Sequence, residues 1–292
     1  MDWLTGIQRV INYIEDHLTE ELNYDEIAKQ AACSSFYLQR IFSVLCGMTL
    51  GDYIRNRRLT LAGNELSLSD KKVIDVALKY GYESPESFTR AFSKFHGITP
   101  SEAKKDGSKL SFFSRLSIKI SLSGGNILDY KIVEKDAFYV VERKELQPVD
   151  DEENVKTITE YWNRTKKEGT EDMLFDISCD KGHILGICYS NYSKNSDTSD
   201  YAVAAICNKE TEVPRGFEKS VIPARTWAVF ECTGPIPEAM RSQWKIILSE
   251  FFTTSGYQPT YEMDIEVYTR GDRTLPEYKS EIWVPVKLNS YN

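Results

Sequence analysis

Two groups of side chains, all but one of them polar, recur at helical spacing in the first 107 residues, and each group is followed by a glycine. The first group, Phe36, Gln39, Arg40 and Ser43, is spaced i, i+3, i+4 and i+7, and therefore shares one helix face. The second is Ser87, Arg90 and Lys94, opposite a face of phenylalanines. Glutamine and arginine on such a face can form bidentate hydrogen bonds with base edges in the major groove of DNA.

Arg40 and Arg90 occupy equivalent places in these two groups, 50 residues apart. An isolated arginine is most simply a solvated surface charge, but the repetition favours contact with DNA. The candidate DNA-contact residues are Ser35, Phe36, Gln39, Arg40, Ser43, Glu86, Ser87, Thr89, Arg90 and Lys94. Glu86 would favour cytosine or repel phosphate.

A third candidate site lies in the run IEVY, where strand alternation puts Glu266 and Tyr268 on the same face. A carboxylate between aliphatic neighbours is costly in a core unless it is paired. Among aromatic rings it can recognise a cationic ligand through charge and cation–π attraction. The alternative is a structural pairing of Glu266 with Arg270, Arg225 or a tyrosine hydroxyl.

Other aromatic residues on predicted strands complete the candidate cleft; they are Tyr201, Trp227 and Trp283. Trp162 and Trp244 lie in predicted helices and are interpreted as core residues.

Local signals predict how the first half positions its candidate residues. Ser34 and Ser84 are predicted N-caps, and Gly47 and Gly97 are predicted to end the helices that carry Arg40 and Arg90. Further helices are predicted over residues 3–18, 26–32, 49–66 and 73–80, the last with Val73, Ile74, Ala77 and Leu78 on its apolar face. The helix 49–66 would span about 27 Å and could set two recognition helices about one DNA turn apart. At least one of its arginines, Arg55, Arg57 and Arg58, should pair structurally.

The second half follows a partly docked linker, residues 108–126, and reads as a duplication over residues 127–292. Each copy is predicted to be β-α-β-β, with Trp162 and Trp244 at matching places in the helices. Two copies would form a curved antiparallel sheet with the helices on one face and a concave surface on the other. The predicted fold class is therefore α+β, with an all-α double helix-turn-helix module in residues 1–107.

The first half resembles a known family. The runs ELNYDEIAKQAACSSFYLQRIFSVLCGMTLGDYIRNRRL and DVALKYGYESPESFTRAFSKFHGITPSE are similar to the DNA-binding module of AraC/XylS-type transcription factors, and to its MarA/Rob-like branch. The resemblance covers residues 5–105 and implies binding to double-stranded DNA and contact with RNA polymerase. Where those relatives carry amides, this chain has Pro85 and Glu86, so the resemblance does not carry over an operator sequence.

The second half resembles the GyrI-like effector-binding domain in the segments VIPARTWAVFECTGPIPEA, SEFFTTSGYQP, MDIEVY and EIWVPV. That family binds bulky cationic or amphipathic compounds in an aromatic cleft containing a glutamate, which the MDIEVY motif assigns to Glu266. The resemblance implies a multidrug-type regulator whose effector binding biases the arrangement of its two halves, and not an enzyme. The alternatives are a small-molecule hydrolase that uses Glu266 as base, and a protein-binding inhibitor domain.

The totals are compatible with a DNA-binding regulator. The net charge is −8, but residues 1–107 hold 13 Lys and Arg against 15 Asp and Glu. A net charge of −2 still allows a local positive face, and it predicts weak, salt-sensitive non-specific binding to DNA.

No apolar run is long enough to span a membrane, and no signal peptide is visible, so a cytoplasmic location is expected. Six cysteines without a CxxC pair predict free thiols and neither metal site nor cofactor, with a redox pair of Cys179 and Cys188 as the alternative.

Overall fold

The computed structural model describes residues 3–105, 107–117, 128–148, 151–180, 182–190 and 198–288. The chain forms two compact units. The helical unit contains Asp2–Ala32 and Met48–Ser121, and the sheet unit contains Met1, Cys33–Gly47 and Leu122–Asn292. The helix that carries Arg40 thus belongs to the sheet unit, whereas the sequence groups it with residues 1–107. The sequence-based boundaries at residues 107 and 127 stay a prediction.

In the first half, the two helices that carry Arg40 and Arg90 begin and end where the capping signals place them, whereas the helix predicted over residues 26–32 is observed over Tyr24–Lys29. The helices of this half are α1 (Trp3–Asp16), α2 (Tyr24–Lys29), α3 (Ser35–Cys46), α4 (Leu50–Leu68), α5 (Val73–Lys79), α6 (Pro85–His96) and α7 (Pro100–Ala103). The Ser34 and Ser84 side chains accept hydrogen bonds from backbone N–H groups in the first turns of α3 and α6. Gly47 and Gly97 end these helices in the left-handed conformation, with φ of 68° and 76°.

The core of the helical unit lies between α4, α5 and α6. Phe88 and Phe92 are fully buried and pack with Leu59, Leu66 and Val76. The predicted apolar face of α5 is partly wrong. Ala77 is buried and Val73 packs against the core as predicted, but Val76 is buried as well, and Ile74 and Leu78 are exposed. A helix of only seven residues contains too few turns for its periodicity to define which face is buried.

Two charge clusters tie α4 to its surroundings within the helical unit. Arg57 donates through Nε and Nη2 to both carboxylate oxygens of Glu15, each at 2.8 Å, and through Nη1 to the Phe113 carbonyl at 2.6 Å. Arg57 is therefore the predicted structural arginine. Glu65 accepts hydrogen bonds from Lys71 Nζ (2.5 Å), Lys79 Nζ (2.7 Å) and Tyr80 Oη (2.9 Å).

The described part of the predicted linker, residues 107–117, docks on the helical unit. The Phe113 N–H donates to Thr60 Oγ1 at 3.0 Å, and the Ser111 N–H donates to His96 Nδ1 at 3.1 Å. These bonds satisfy backbone donors that would otherwise face a packed surface. This segment therefore packs against the helical unit, and the linker as a domain boundary stays a prediction.

In the described residues, the sheet unit combines α3 with a nine-stranded antiparallel sheet that is not closed into a barrel; eight strands lie side by side in one series, and the short seventh strand pairs with the last one. Its strands are β1 (Tyr130–Lys135), β2 (Phe138–Pro148), β3 (His183–Tyr189), β4 (Thr198–Cys207), β5 (Glu218–Ile222), β6 (Arg225–Thr233), β7 (Tyr257–Pro259), β8 (Met263–Thr269) and β9 (Lys279–Leu288). Its remaining helices are α8 (Asp151–Lys167), α9 (Thr170–Ile177) and α10 (Glu238–Ile246), which continues through a π-helical turn to Thr254.

The duplication is visible in the strand order β1-β6-β9-β8-β3-β4-β2-β5, in which the two copies meet at β3 and β8. Each copy has two strands before its helix, where the sequence predicts one. The first strand of each copy pairs with the second strand of the other, as β1 with β6 and β5 with β2. The copies are thereby joined at both edges and at the centre of one continuous sheet.

Register assigns the side chains of this sheet to its two faces, because directly paired residues project to the same side. Trp283 pairs with Ile265, and both lie in the apolar core cluster that also contains Trp227. Glu266 pairs with Gly186 and therefore takes the opposite face. That second face is the one that α8 and α10 cover.

No helix in the described residues is long and apolar enough to cross a membrane. The six cysteines all lie in the described residues and form no disulfide bond there, and Cys33, Cys188, Cys207 and Cys232 are buried.

Candidate functional site

The sheet unit encloses a cavity of about 680 Å³ between the sheet and the helices α3, α8 and α10. Cys188, Tyr201, Glu266 and Tyr268 line it from β3, β4 and β8. Trp162 of α8, Trp244 of α10 and Arg40 of α3 line it from the helices. Its volume suits a small organic molecule.

Glu266 is the carboxylate at the sheet side of the cavity, and its side chain is 14% exposed. Burial raises its pKa, although the nearby Arg40 guanidinium and a hydrogen bond from Tyr268 act in the opposite direction. The Tyr268 hydroxyl donates to Glu266 Oε2 at 2.7 Å. Arg225 and Arg270 pair instead with Glu262 and Asp176, so of the structural partners considered for Glu266 only the tyrosine hydroxyl is present.

Arg40 enters the cavity from α3 and has three partners there. Its Nη1 donates to Asp264 Oδ2 at 2.6 Å, and its Nη2 lies 3.8 Å from Glu266 Oε1. Its guanidinium carbon lies 4.5 Å from the ring centre of Trp244, a cation–π distance. Burial would lower the pKa of Arg40, but Asp264 and Glu266 outweigh it and hold the pKa well above its ordinary value.

Trp162 and Tyr201 form another part of the cavity wall. The indole Nε1 of Trp162 donates to the Tyr201 hydroxyl at 2.7 Å. Gly186 leaves room for this pair, because a Cβ at that position would lie 2.2 Å from the Tyr201 hydroxyl oxygen. Burial raises the pKa of Tyr201 well above its ordinary value, so the hydroxyl stays neutral and available as an acceptor.

A second arginine lies against this wall. Arg273 stacks 4.5 Å from the ring centre of Trp162 and 4.6 Å from that of Tyr268, and pairs with Glu171 at 3.3 Å. Each tryptophan of the cavity therefore carries a guanidinium on its face.

Of the residues predicted for the ligand site, the structure brings Glu266, Tyr268 and Tyr201 together. Trp227 and Trp283 do not reach the cavity and lie in the core on the other face of the sheet. The reason is register, since Trp283 pairs with Ile265 and not with Glu266. Sequence reasoning interpreted Trp162 and Trp244 as core residues only; their matching places in the two copies were the signal that could have found them.

The two candidate DNA-contact faces differ in exposure. On α6, Glu86, Arg90 and Lys94 are exposed and Ser87 and Thr89 are half-buried. On α3, Ser35 and Ser43 are buried, and Gln39 and Arg40 are half-buried. The side chain of Phe36 lies outside the described residues.

The solvent-facing stripe expected on α3 is therefore not observed, because this face packs within the sheet unit. Tyr37, three residues before Arg40, makes an edge contact with Tyr261, with the ring centres 4.5 Å apart. Arg40 and Ser43 line the cavity.

Comparisons with known proteins agree with the family resemblance of each half of the chain. Residues 131–286, more than half of the chain, match the Cass2 family, described as integron-associated effector binding protein. Residues 27–106 match a helix-turn-helix domain, HTH_18. The structure of SAV2435 bound to tetraphenylphosphonium aligns with a TM-score of 0.48 and 22% identity, over 55% of this chain and 94% of that chain.

Curated relatives match the first half. Over 96 residues the chain is 43% identical to Regulatory protein SoxS of Escherichia coli strain K12, covering 33% of this chain and 90% of SoxS. It is 42% identical over 95 residues to the HTH-type transcriptional activator AarP of Providencia stuartii, covering 32% of this chain and 70% of AarP. Both relatives are named as regulators. The chain thus belongs to the AraC-type DNA-binding transcription regulators, as a non-enzymatic member with a C-terminal effector-binding domain of the Cass2, GyrI-like family.

Proposed function

We propose that the cavity of the sheet unit binds a small aromatic cation, and that this binding controls the regulator's interaction with DNA. The observation that carries the proposal is the partly buried Glu266 carboxylate in a cavity that the indole rings of Trp162 and Trp244 also line. A carboxylate withdrawn from water is poorly solvated, so a bound cation stabilises its ionised form. The flanking rings add cation–π attraction.

Charge recognition here has a direct test. Biphenyl-4-carboxamidine is an aromatic cation, and biphenyl-4-carboxamide is its neutral isostere. Calorimetric titration of the full chain should show tighter binding of the amidine. Glu266→Gln keeps the shape of the side chain but removes its charge, and should weaken amidine binding by about 1–3 kcal/mol while leaving the amide little changed.

A different result would make Glu266 a structural residue. If Glu266→Gln lowers the unfolding temperature but leaves the preference for amidine over amide intact, the carboxylate does not recognise the ligand.

For DNA, we propose that the outer face of α6 contacts the major groove through Arg90, Ser87 and Thr89, and that α3 contributes Gln39 and Arg40 in a second groove. The exposure of Arg90 and Lys94 supports the first of these contacts. Arginine at such a position reads guanine and also attracts phosphate.

RNA polymerase is the protein partner we propose for the helical unit. Ile74 and Leu78 lie one turn apart on α5 and are 45% and 59% exposed, so they form a small apolar surface on the helical unit. Leu78→Ser should keep DNA binding and lose activation in run-off transcription with purified polymerase. Unchanged activation would remove this surface from the proposal.

The hydrolase and inhibitor alternatives are not favoured. Membership among AraC-type regulators supplies a function for the effector-binding half without turnover.

A further inference from the structure

We propose that the Arg40 guanidinium is an internal substitute for the effector, and that an effector carrying a planar cation displaces it and so frees α3 to bind DNA. The inference rests on the proposed sensing function of the cavity and adds its regulation and the class of ligand.

The contacts of Arg40 are those that an aromatic cation would need. Its guanidinium is held by the Asp264 carboxylate at 2.6 Å, lies 3.8 Å from Glu266 and covers the Trp244 ring at 4.5 Å. Among the described residues, Arg40 is the one cation within ion-pair distance of Glu266. A ligand cation paired with Glu266 on the face of Trp244 would take the place of this side chain.

Arg273 differs from Arg40 in the carboxylate with which it pairs. It also covers a tryptophan of the cavity, Trp162, but its carboxylate partner is Glu171 at 3.3 Å. Its charge is balanced without Glu266, so a ligand can reach Glu266 without displacing Arg273.

Docking of α3 and contact of the same face with DNA exclude each other. Ser43 is 4% exposed, and the Arg40 guanidinium is held by a carboxylate that is itself almost fully buried. A side chain in this position cannot also form a bidentate bond with a base. The corresponding face of α6 is exposed, so the described conformation offers one candidate recognition helix and withholds the other.

The site also indicates the class of effector. Asp264 and Glu266 are alternate residues of β8, so their side chains share a face about 7 Å apart. Once Arg40 leaves, both carboxylates and the Trp244 ring are open. Two carboxylates beside a flat ring match an amidinium or guanidinium group carried on an aromatic system.

The first experiment measures competition for the cavity, with biphenyl-4-carboxamidine titrated into the full chain. Arg40→Ala and Arg40→Gln should both bind it at least about tenfold more tightly than the unmodified protein, because apparent affinity falls with the fraction of protein whose site is open. Arg241→Ala removes the same charge from the exposed mouth of the cavity and reports the general electrostatic contribution. Arg40 variants that gain no more than Arg241→Ala would overturn the inference.

The outcomes for the two proposals differ. If neither the unmodified protein nor the Arg40 variants prefer the amidine to the amide, the proposed sensing function fails. If the preference exists and the Arg40 variants bind no better, only the displacement of Arg40 fails.

The second experiment needs no ligand, so it tests the release of α3 independently of the results of the amidine titrations. Asp264→Asn removes the charge that holds Arg40 and should raise affinity for a duplex selected by this protein from a random library by about threefold or more. Asp176→Asn, which removes an exposed carboxylate paired with Arg270, is the matched control. Equal DNA affinity of the two variants would refute the release of α3.

Addition of the amidine to the unmodified protein should raise DNA affinity in the same direction. By reciprocity, the selected duplex should raise affinity for the amidine by the same factor. A fall in DNA affinity on adding the amidine would contradict the inference, since the effector would then favour the docked helix.

Discussion

Gly186→Ala should disrupt the Trp162 wall of the cavity although it adds one methyl group. A Cβ at Gly186 would lie 2.2 Å from the Tyr201 hydroxyl oxygen, 3.0 Å from Tyr201 Cζ and 3.4 Å from Trp162 Cζ2. The Tyr201 ring is 2% exposed on the neighbouring strand β4, so it cannot rotate into solvent. Either the ring or strand β3 has to move.

The cost has three contributions. Overpacking a rigid site costs about 1–3 kcal/mol. Loss of the bond from Trp162 Nε1 to the Tyr201 hydroxyl would leave a buried donor unpaired, for up to about 1–3 kcal/mol more. Replacing glycine by alanine in a strand returns about 0.5–1 kcal/mol of backbone entropy. We expect a net destabilisation of about 1–4 kcal/mol and weaker binding of the amidine probe.

Urea unfolding followed by tryptophan fluorescence measures this change, since four of the five tryptophans lie beyond residue 122 and report the sheet unit. Tyr201→Phe removes the atom at 2.2 Å and should partly rescue Gly186→Ala, with a coupling energy of about 1 kcal/mol or more. A Gly186→Ala protein of unchanged stability, or effects that simply add in the double variant, would refute the steric argument.

Three further predictions concern the helical unit. Arg90→Ala should weaken binding to the selected duplex by about 1–3 kcal/mol in fluorescence anisotropy, and unchanged affinity would contradict the assignment of α6 as a recognition helix. Arg57→Met should cost about 3–5 kcal/mol of unfolding free energy in urea, because Glu15 is left buried without its cation, whereas adding Glu15→Gln should recover part of the loss. Burial acts to raise the pKa of Glu65, but bonds from its two lysine partners and its tyrosine partner lower the pKa to about 2. Its contribution is therefore complete above the ordinary carboxyl pKa of 4.5 and is lost as pH falls towards 2, so the melting temperatures of Glu65→Gln and the unmodified protein should converge over that range. A gap that stays constant with pH would contradict it.

Local features of the chain were predictable because their causes are local. The N-caps at Ser34 and Ser84 and the terminating glycines at positions 47 and 97 depend on neighbours within one helical turn. The shared face of Glu266 and Tyr268 follows from strand alternation, which any extended segment obeys. The burial of Val76 and the exposure of Ile74 and Leu78 in α5 were not predictable, because packing against α4 and α6, which lie elsewhere in the chain, decides which side of this short helix is covered.

The sequence by itself determined the helix-turn-helix pattern, the duplication in the second half and the strand that carries Glu266. Each of these is recognised from the spacing of residues along short segments of the chain. Tertiary structure alone decided which aromatic rings surround that carboxylate, because strand register and not strand composition sends Trp283 to one face and Glu266 to the other. Tertiary structure alone also decided which residue pairs with Arg40. Asp264 is 224 positions away from Arg40 in the chain. No local sequence pattern predicts this pairing, because it exists only after the sheet has formed and α3 has packed against it.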